Sequence, residues 1–152
     1  MTQADKELLL KDLCSRLPYG VVIQEKCVEQ DKTFLPNKEG DRLVNIDAHR
    51  DLLMTNCGSW YYLDDIKPYL FPLSSMTEEQ KYDFYCRFIE NDCDLDDFKE
   101  FYLDNGMLHK LFTSLDDIEA IIDWFHKNHF DYRGLIPMGL ANDATGKNIY
   151  EL

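Results

Sequence analysis

Over residues 5–17 the apolar positions Leu10, Leu13, Cys14 and Leu17 recur at helical spacing, while Lys6, Lys11, Asp12 and Arg16 stay off that face. This predicts an N-terminal helix, ended by Pro18. The pattern then changes period. Gly20 is followed by the β-branched run Val21, Val22 and Ile23, which predicts a strand over about 20–28. Pro36 and the polar run NKEGD make a turn, and RLVNIDAHRDLLMT predicts two more strands joined by a turn at 48–51. Trp60, Tyr61 and Tyr62 form an aromatic strand. Four such segments without a helical period between them imply a small antiparallel β-meander or an SH3-like partial barrel.

Pro68 and Pro72 allow at most one helical turn around 64–67 and then force extended backbone. Thr77 with Gln80 has the spacing of a capping box, so a helix begins there and runs to about Asn91. Its apolar residues fall on two faces: Tyr82, Tyr85, Cys86 and Ile89 on one, Phe84 and Phe88 on the other. Such a helix is sandwiched in a core or lends one side to a partner, and the aromatic content favours the sandwich. A further helix is expected over 95–104, capped by Asp94 and ended at Asn105-Gly106. The last starts at Ser114 with Asp117 at its third position and runs through WFHKNH. Leu-Asp-Asp recurs at 63, 95 and 115, where acids suit the first turn of a helix. The tail is broken by Gly134, Pro137, Gly139 and Gly146, with room for a short helical turn and an edge strand. The fold class is therefore α+β: an N-terminal helix, a β-rich part over about 18–73 and a helical C-terminal half over about 74–152. With 152 residues and 45% apolar content the default is a single domain.

Charge sharpens this picture. The net charge of −13 is uneven: residues 1–60 hold ten acids and eight bases, residues 61–152 nineteen and eight. Direct binding to nucleic-acid phosphates calls for the opposite sign, whereas a protein partner with a basic surface fits. The first residues contain no apolar run of signal-peptide length, and nowhere do 18 apolar residues run together, so a cytoplasmic location without membrane association is expected. Five cysteines (Cys14, Cys27, Cys57, Cys86 and Cys93) include no CxxC pair, which favours buried, reduced thiols over a zinc site.

Candidate chemistry is sparse. Asp92, Asp94 and Asp96 open like a calcium loop, but Asp97 stands where glycine is needed and Leu103 where a bidentate glutamate belongs. ATGKN at 144–148 departs from a phosphate loop in glycine spacing and in Asn148. His49 and His109 are isolated. The densest cluster is WFHKNHFDYRGLI at 124–136, where His126, His129 and Asp131 are candidates for a small enzyme site or for two ligands of a metal. A histidine in the last helical turn also bonds terminal carbonyls, and Asp131 can pair with His129 or Arg133, so closure of the fold is the competing role. Projected on the helix, His129 falls on the buried stripe of Ile118, Ile121, Ile122 and Phe125, leaving His126, Asp131, Tyr132 and Arg133 to face a ligand.

Three stretches, KDLCSRLPYGV (11–21), IKPYLFPLSSMTEEQ (66–80) and HFDYRGLIPMGLA (129–141), resemble a family of small proteins of gut anaerobic bacteria and their prophages. The motifs keep their order and frame about 130 residues. Phe71 stands where the family often has arginine. The resemblance implies mobile-element origin but no activity, cofactor or catalytic residue. The expected function is a non-enzymatic protein-binding module, using its acidic C-terminal half or the sheet near Trp60 and Tyr61, without cofactor or metal. The alternatives are an acidic nucleic-acid mimic that inhibits a host enzyme, and the small enzyme of His126, His129 and Asp131.

Overall fold

The structure, a computed structural model, describes residues 1–25, 41–89, 94–100 and 118–150. Several sequence expectations lie outside these residues: the strand end at 26–28, the turn at 36–40, Cys27, Asp92, Cys93, Asn105-Gly106, His109 and the Ser114/Asp117 helix start. The architecture is α+β, and the chain divides into two compact units, Met1–Leu70 with Arg133–Leu152, and Phe71–Tyr132.

The first unit opens with helix α1, Gln3–Arg16. A capping box starts it, with Thr2 accepting from the Asp5 amide and Asp5 accepting from the Thr2 amide. The buried face of α1 is Leu9, Asp12, Leu13 and Arg16, while Cys14 is exposed. The expected stripe was thus displaced, because two charged residues occupy core positions. They do so as a pair: Arg16 donates through Nε to Asp12 Oδ2 at 2.6 Å and through its terminal nitrogen to Oδ1 at 3.3 Å, and Arg133 adds a third bond to Oδ1 at 3.2 Å. Bidentate geometry makes burial of the two charges tolerable.

Strands β2 (Leu43–Asp47), β3 (Leu52–Thr55) and β4 (Trp60–Tyr62) form the antiparallel meander, in order β2-β3-β4. The first turn lies where predicted. Asp47 Oδ1 accepts from the amides of His49 and Arg50, and Asp51 takes the left-handed conformation. Strand β1 (Ile23–Glu25) was expected in the same meander; it meets the start of β2, where the Ile23 amide donates to Asp41 O, but its ladder is antiparallel with β5 (Ile66–Leu70), with Ile23 opposite Pro68. β6 (Asn142–Asp143) lies parallel on the other side of β5. The two sheets meet where Val22 bridges Arg42, and the Leu43 amide donates to Val21 O.

A proline in a central strand needs a reason. The Tyr69 amide donates to Val22 O, so alternation directs the neighbouring Pro68 nitrogen away from β1, and β6 joins β5 only from Tyr69 onward. The return bond is replaced by a side chain. Tyr150 accepts from the Val22 amide at 3.2 Å and donates to Tyr69 O at 2.6 Å, splicing its hydroxyl into the β1–β5 ladder. Leu9, Leu13, Val21, Ile23, Leu53, Ile66 and Leu135 are among the core of this unit.

In the second unit, α2 (Glu78–Phe88) starts with the predicted capping box of Thr77 and Gln80. α3 (Leu95–Phe98) is capped by Asp94, whose Oδ1 accepts from the Asp97 amide at 2.9 Å. α4 spans Ile118–Lys127. Phe84 is the aromatic centre, with ring centroids 5.0 to 5.7 Å from those of Phe88, Phe98, Trp124 and Phe125. Both expected faces of α2 reach the core, Phe84 and Phe88 from one and Tyr85 and Ile89 from the other, while Tyr82 and Cys86 are exposed.

Helix α4 ends before His129, contrary to the projection. The Phe130 amide donates to Phe125 O at 2.9 Å and the His129 amide to His126 O at 3.1 Å, the paired bonds of a Schellman motif. His129 occupies its left-handed position with φ +57°, where glycine is usual. Beyond it the chain clamps onto Phe71, whose amide donates to His129 O and whose carbonyl accepts from the Asp131 amide.

Candidate functional site

The register of the meander decides which aromatics are displayed. Met54 lies opposite Trp60 and Leu52 opposite Tyr62, while the alternate residues Leu53 and Thr55 are buried. Side chains of a strand alternate between faces, so Leu52, Met54, Trp60 and Tyr62 share the outer face. Trp60 is 51% and Tyr62 61% exposed, whereas Tyr61 packs against the core. A register shift between Leu43 and Asn45 turns Val44 outward at 47% exposure. Tyr62, not Tyr61, is therefore the surface partner of Trp60. Period-2 alternation within WYY is the signal that identifies it.

Backbone groups on this strand are also sorted by alternation. Thr55 donates its amide to Ser59 O, and Leu63 to Asp51 O. Residues 59, 61 and 63 thus direct their main-chain groups toward β3, and Trp60 and Tyr62 direct theirs away from it. β4 is the last strand of the sheet among the described residues. Charge gathers at its Tyr62 end: Asp47 opposite Leu52, Asp51 in the preceding turn, and Asp64 and Asp65 directly after the strand. The nearby cations are Lys6, paired with Asp64, and Arg50, 3.7 Å from Asp47 with its side chain 77% exposed. The turn at the Trp60 end, Asn56, Cys57, Gly58 and Ser59, carries no charge of its own, and the oppositely charged Asp41 and Arg42 lie beside it. Hydrogen bonds with the Ser59 and Thr55 hydroxyls hold the exposed Cys57 thiol below its ordinary pKa.

The 124–136 stretch is arranged differently. His126 is buried, its Nε2 sharing a 3.0 Å hydrogen bond with the Tyr132 hydroxyl, and Tyr132 stacks on Phe125 at 5.5 Å. Asp131 and His129 are buried too. Arg133 belongs to the first unit and bonds Asp12. Of the six residues singled out from the sequence, His126, Asp131 and Tyr132 thus lie in one unit, and Trp60, Tyr61 and Arg133 in the other.

A groove of about 520 Å³ in the second unit is lined instead by residues that include Asp83, Arg87, Phe88, Asp123, Trp124 and Lys127. Asp83 Oδ2 accepts from the Trp124 indole at 2.9 Å and Oδ1 from Arg87 at 2.8 Å. Arg87, and after it Trp124, hold the Asp83 carboxyl below the usual carboxylate range. The indole bond fastens α4 to α2, and the Arg87 bond lies within α2. Among the described residues no group of three or more His, Cys, Asp or Glu side chains gathers as a metal site.

The fold and this surface define a small α+β protein in which Val44, Trp60 and Tyr62 expose apolar and aromatic side chains on one three-stranded sheet. No family model, no curated protein and no solved structure matches the chain. Among the described residues no helix is long and apolar enough to cross a membrane.

Proposed function

We propose that this chain is a non-enzymatic protein-binding module whose contact surface is the outer face of the β2-β3-β4 sheet. The observation that carries the reading is the exposure of Trp60 and Tyr62 on one face, with Met54 and Leu52 opposite them on the neighbouring strand. Aromatic side chains offer roughly 150–250 Å² each, so two that are half exposed leave on the order of 200 Å² for a partner to cover. At about 25 cal/mol per Å² this contributes roughly 5 kcal/mol. Association costs at least about 4 kcal/mol, so the rings need Val44, Met54 and Leu52 beside them, and the complex is transient. A cytoplasmic location and a mobile-element origin belong to the same proposal. They rest on the reading of the cysteines as reduced thiols and on the three motifs.

The test is affinity capture from lysate of the source organism with wild type, the double variant Trp60→Ala/Tyr62→Ala, and Tyr82→Ala as a control for an exposed aromatic elsewhere. Binding lost in the double variant and kept in the control supports the face. Capture that survives the double variant and elutes with salt assigns binding to Phe71–Tyr132 instead, whose fifteen acids and five bases give a net −10.

A further inference from the structure

We infer that β4 is an acceptor strand: the partner contributes an extended segment that pairs antiparallel with β4, with basic residues in its N-terminal half and an apolar residue opposite Trp60. This rests on the sheet face being the binding surface, and adds the mode of binding and the chemistry of the partner. Three observations converge on it. The main-chain groups of Trp60 and Tyr62 point away from β3, toward the side of the sheet on which no described strand lies. The same two residues carry the exposed rings, so a strand laid along them gains main-chain hydrogen bonds and side-chain contacts together.

Charge then orients the segment. Asp47, Asp51, Asp64 and Asp65 surround the Tyr62 end, while at the Trp60 end Asp41 and Arg42 offset each other. In an antiparallel pair the residue opposite Tyr62 precedes the residue opposite Trp60 by two, and both lie on the face that carries the rings. Cationic residues therefore belong first in the segment and apolar ones after them. Among the described residues, Lys6 pairs with Asp64 and Arg50 lies 3.7 Å from Asp47, two cations against four carboxylates. A lysine opposite Tyr62 lies against both the ring and this field.

The probe is the acetylated and amidated heptapeptide KTKTVTV, whose third residue aligns with Tyr62 and fifth with Trp60. It is titrated into the isotope-labelled full chain, following the amide resonances of residues 52–63. Binding with the largest shifts at Trp60 and Tyr62 is expected. The reversed peptide VTVTKTK should bind at least about tenfold more weakly, and so should the glutamate version ETETVTV, given field effects of this kind on association. Methylating the peptide nitrogens at positions 3 and 5, which face β4, should cost about tenfold, as expected for two ordinary hydrogen bonds. Methylation at positions 2 and 4, which face away, should change binding by less than about threefold.

Equal losses from both methylated peptides would overturn strand pairing. Stronger binding of the reversed or glutamate peptide would overturn the charge-set direction, and no binding of KTKTVTV at millimolar concentration would overturn the inference as a whole. Each of these leaves the capture experiment with Trp60→Ala/Tyr62→Ala able to support the sheet face on its own.

Discussion

Tyr150→Phe removes one oxygen atom and should destabilise the first unit out of proportion to its size. The hydroxyl accepts from the Val22 amide at 3.2 Å and donates to Tyr69 O at 2.6 Å, standing in for a main-chain bond between β1 and β5. Phenylalanine fills the same space but leaves both main-chain groups without that partner. A buried donor or acceptor stripped of its partner costs about 1–3 kcal/mol, and entry of water at the end of a short strand moves both toward the lower end. The expected loss is therefore about 2–3 kcal/mol. For a chain of this length each kcal/mol moves the melting midpoint by roughly 2–4 °C, giving a fall of roughly 4–12 °C. Urea denaturation should show a lower midpoint at unchanged slope, and hydrogen exchange should accelerate at the Val22 amide. A stability change under about 0.5 kcal/mol, the range of ordinary surface substitutions, would refute the spliced ladder. The pH dependence carries an independent check. Burial raises the Tyr150 pKa above its ordinary value near 10, so the fold binds the neutral hydroxyl more tightly than the unfolded chain does. That stability is fully present below about pH 10 and is lost as the pH climbs above it, and the variant should lose this part of the alkaline decline. Tyr69, also raised by burial, keeps its share in both proteins.

Asp12→Ala should cost about 3–5 kcal/mol by leaving the buried Arg16 guanidinium without its carboxylate, measured by urea denaturation; a loss under about 1 kcal/mol would contradict the core role of the pair. At His129 the left-handed backbone makes glycine the better small residue, so His129→Gly should be about 1 kcal/mol more stable than His129→Ala, and the opposite order would count against the Schellman end of α4. Cys57, its pKa lowered, should react with iodoacetamide at neutral pH faster than Cys14, whose exposed thiol is still pushed up by partial desolvation; mass spectrometry of the partly alkylated chain reads the order, and preferential labelling of Cys14 would refute it. Hydrogen bonds from Lys81 and then Lys99 lower the Glu78 carboxyl to about 2, so its contribution is present above the ordinary glutamate range and is lost as the pH falls toward 2. Carbon-detected titration should find its midpoint well below those of the other glutamates, and Lys99→Ala should raise it.

How far the fold was legible depends on whether a feature is set by neighbours in sequence or by distant partners. The Thr77 box, the Asp94 cap and the 48–51 turn are local hydrogen-bond chemistry, and each lies where the pattern puts it. The buried face of α1 was misplaced because Asp12 and Arg16 sit at core positions that hydropathy assigns to solvent, and their tolerance depends on each other and on Arg133, 121 residues away. That β1 pairs with β5 besides bridging to the start of β2 has no local signature, since either arrangement buries Val21 and Ile23. Tyr150 is harder still, because its partners are main-chain groups that every residue carries. His129 shows how a helical projection fails at an end: two residues past Lys127 the chain turns left-handed, and an angle computed for a continuing helix no longer describes the side chain. The candidate surface obeys the same division. Trp60 was identifiable as an aromatic on a strand, but whether Tyr61 or Tyr62 stands beside it follows from the sheet period. Which of the two faces meets the core is decided by Leu53 and Thr55 across the hairpin. A one-residue change of register would bury Trp60 and Tyr62 and display Tyr61 alone, so the proposed acceptor strand exists only in the pairing that places Met54 opposite Trp60.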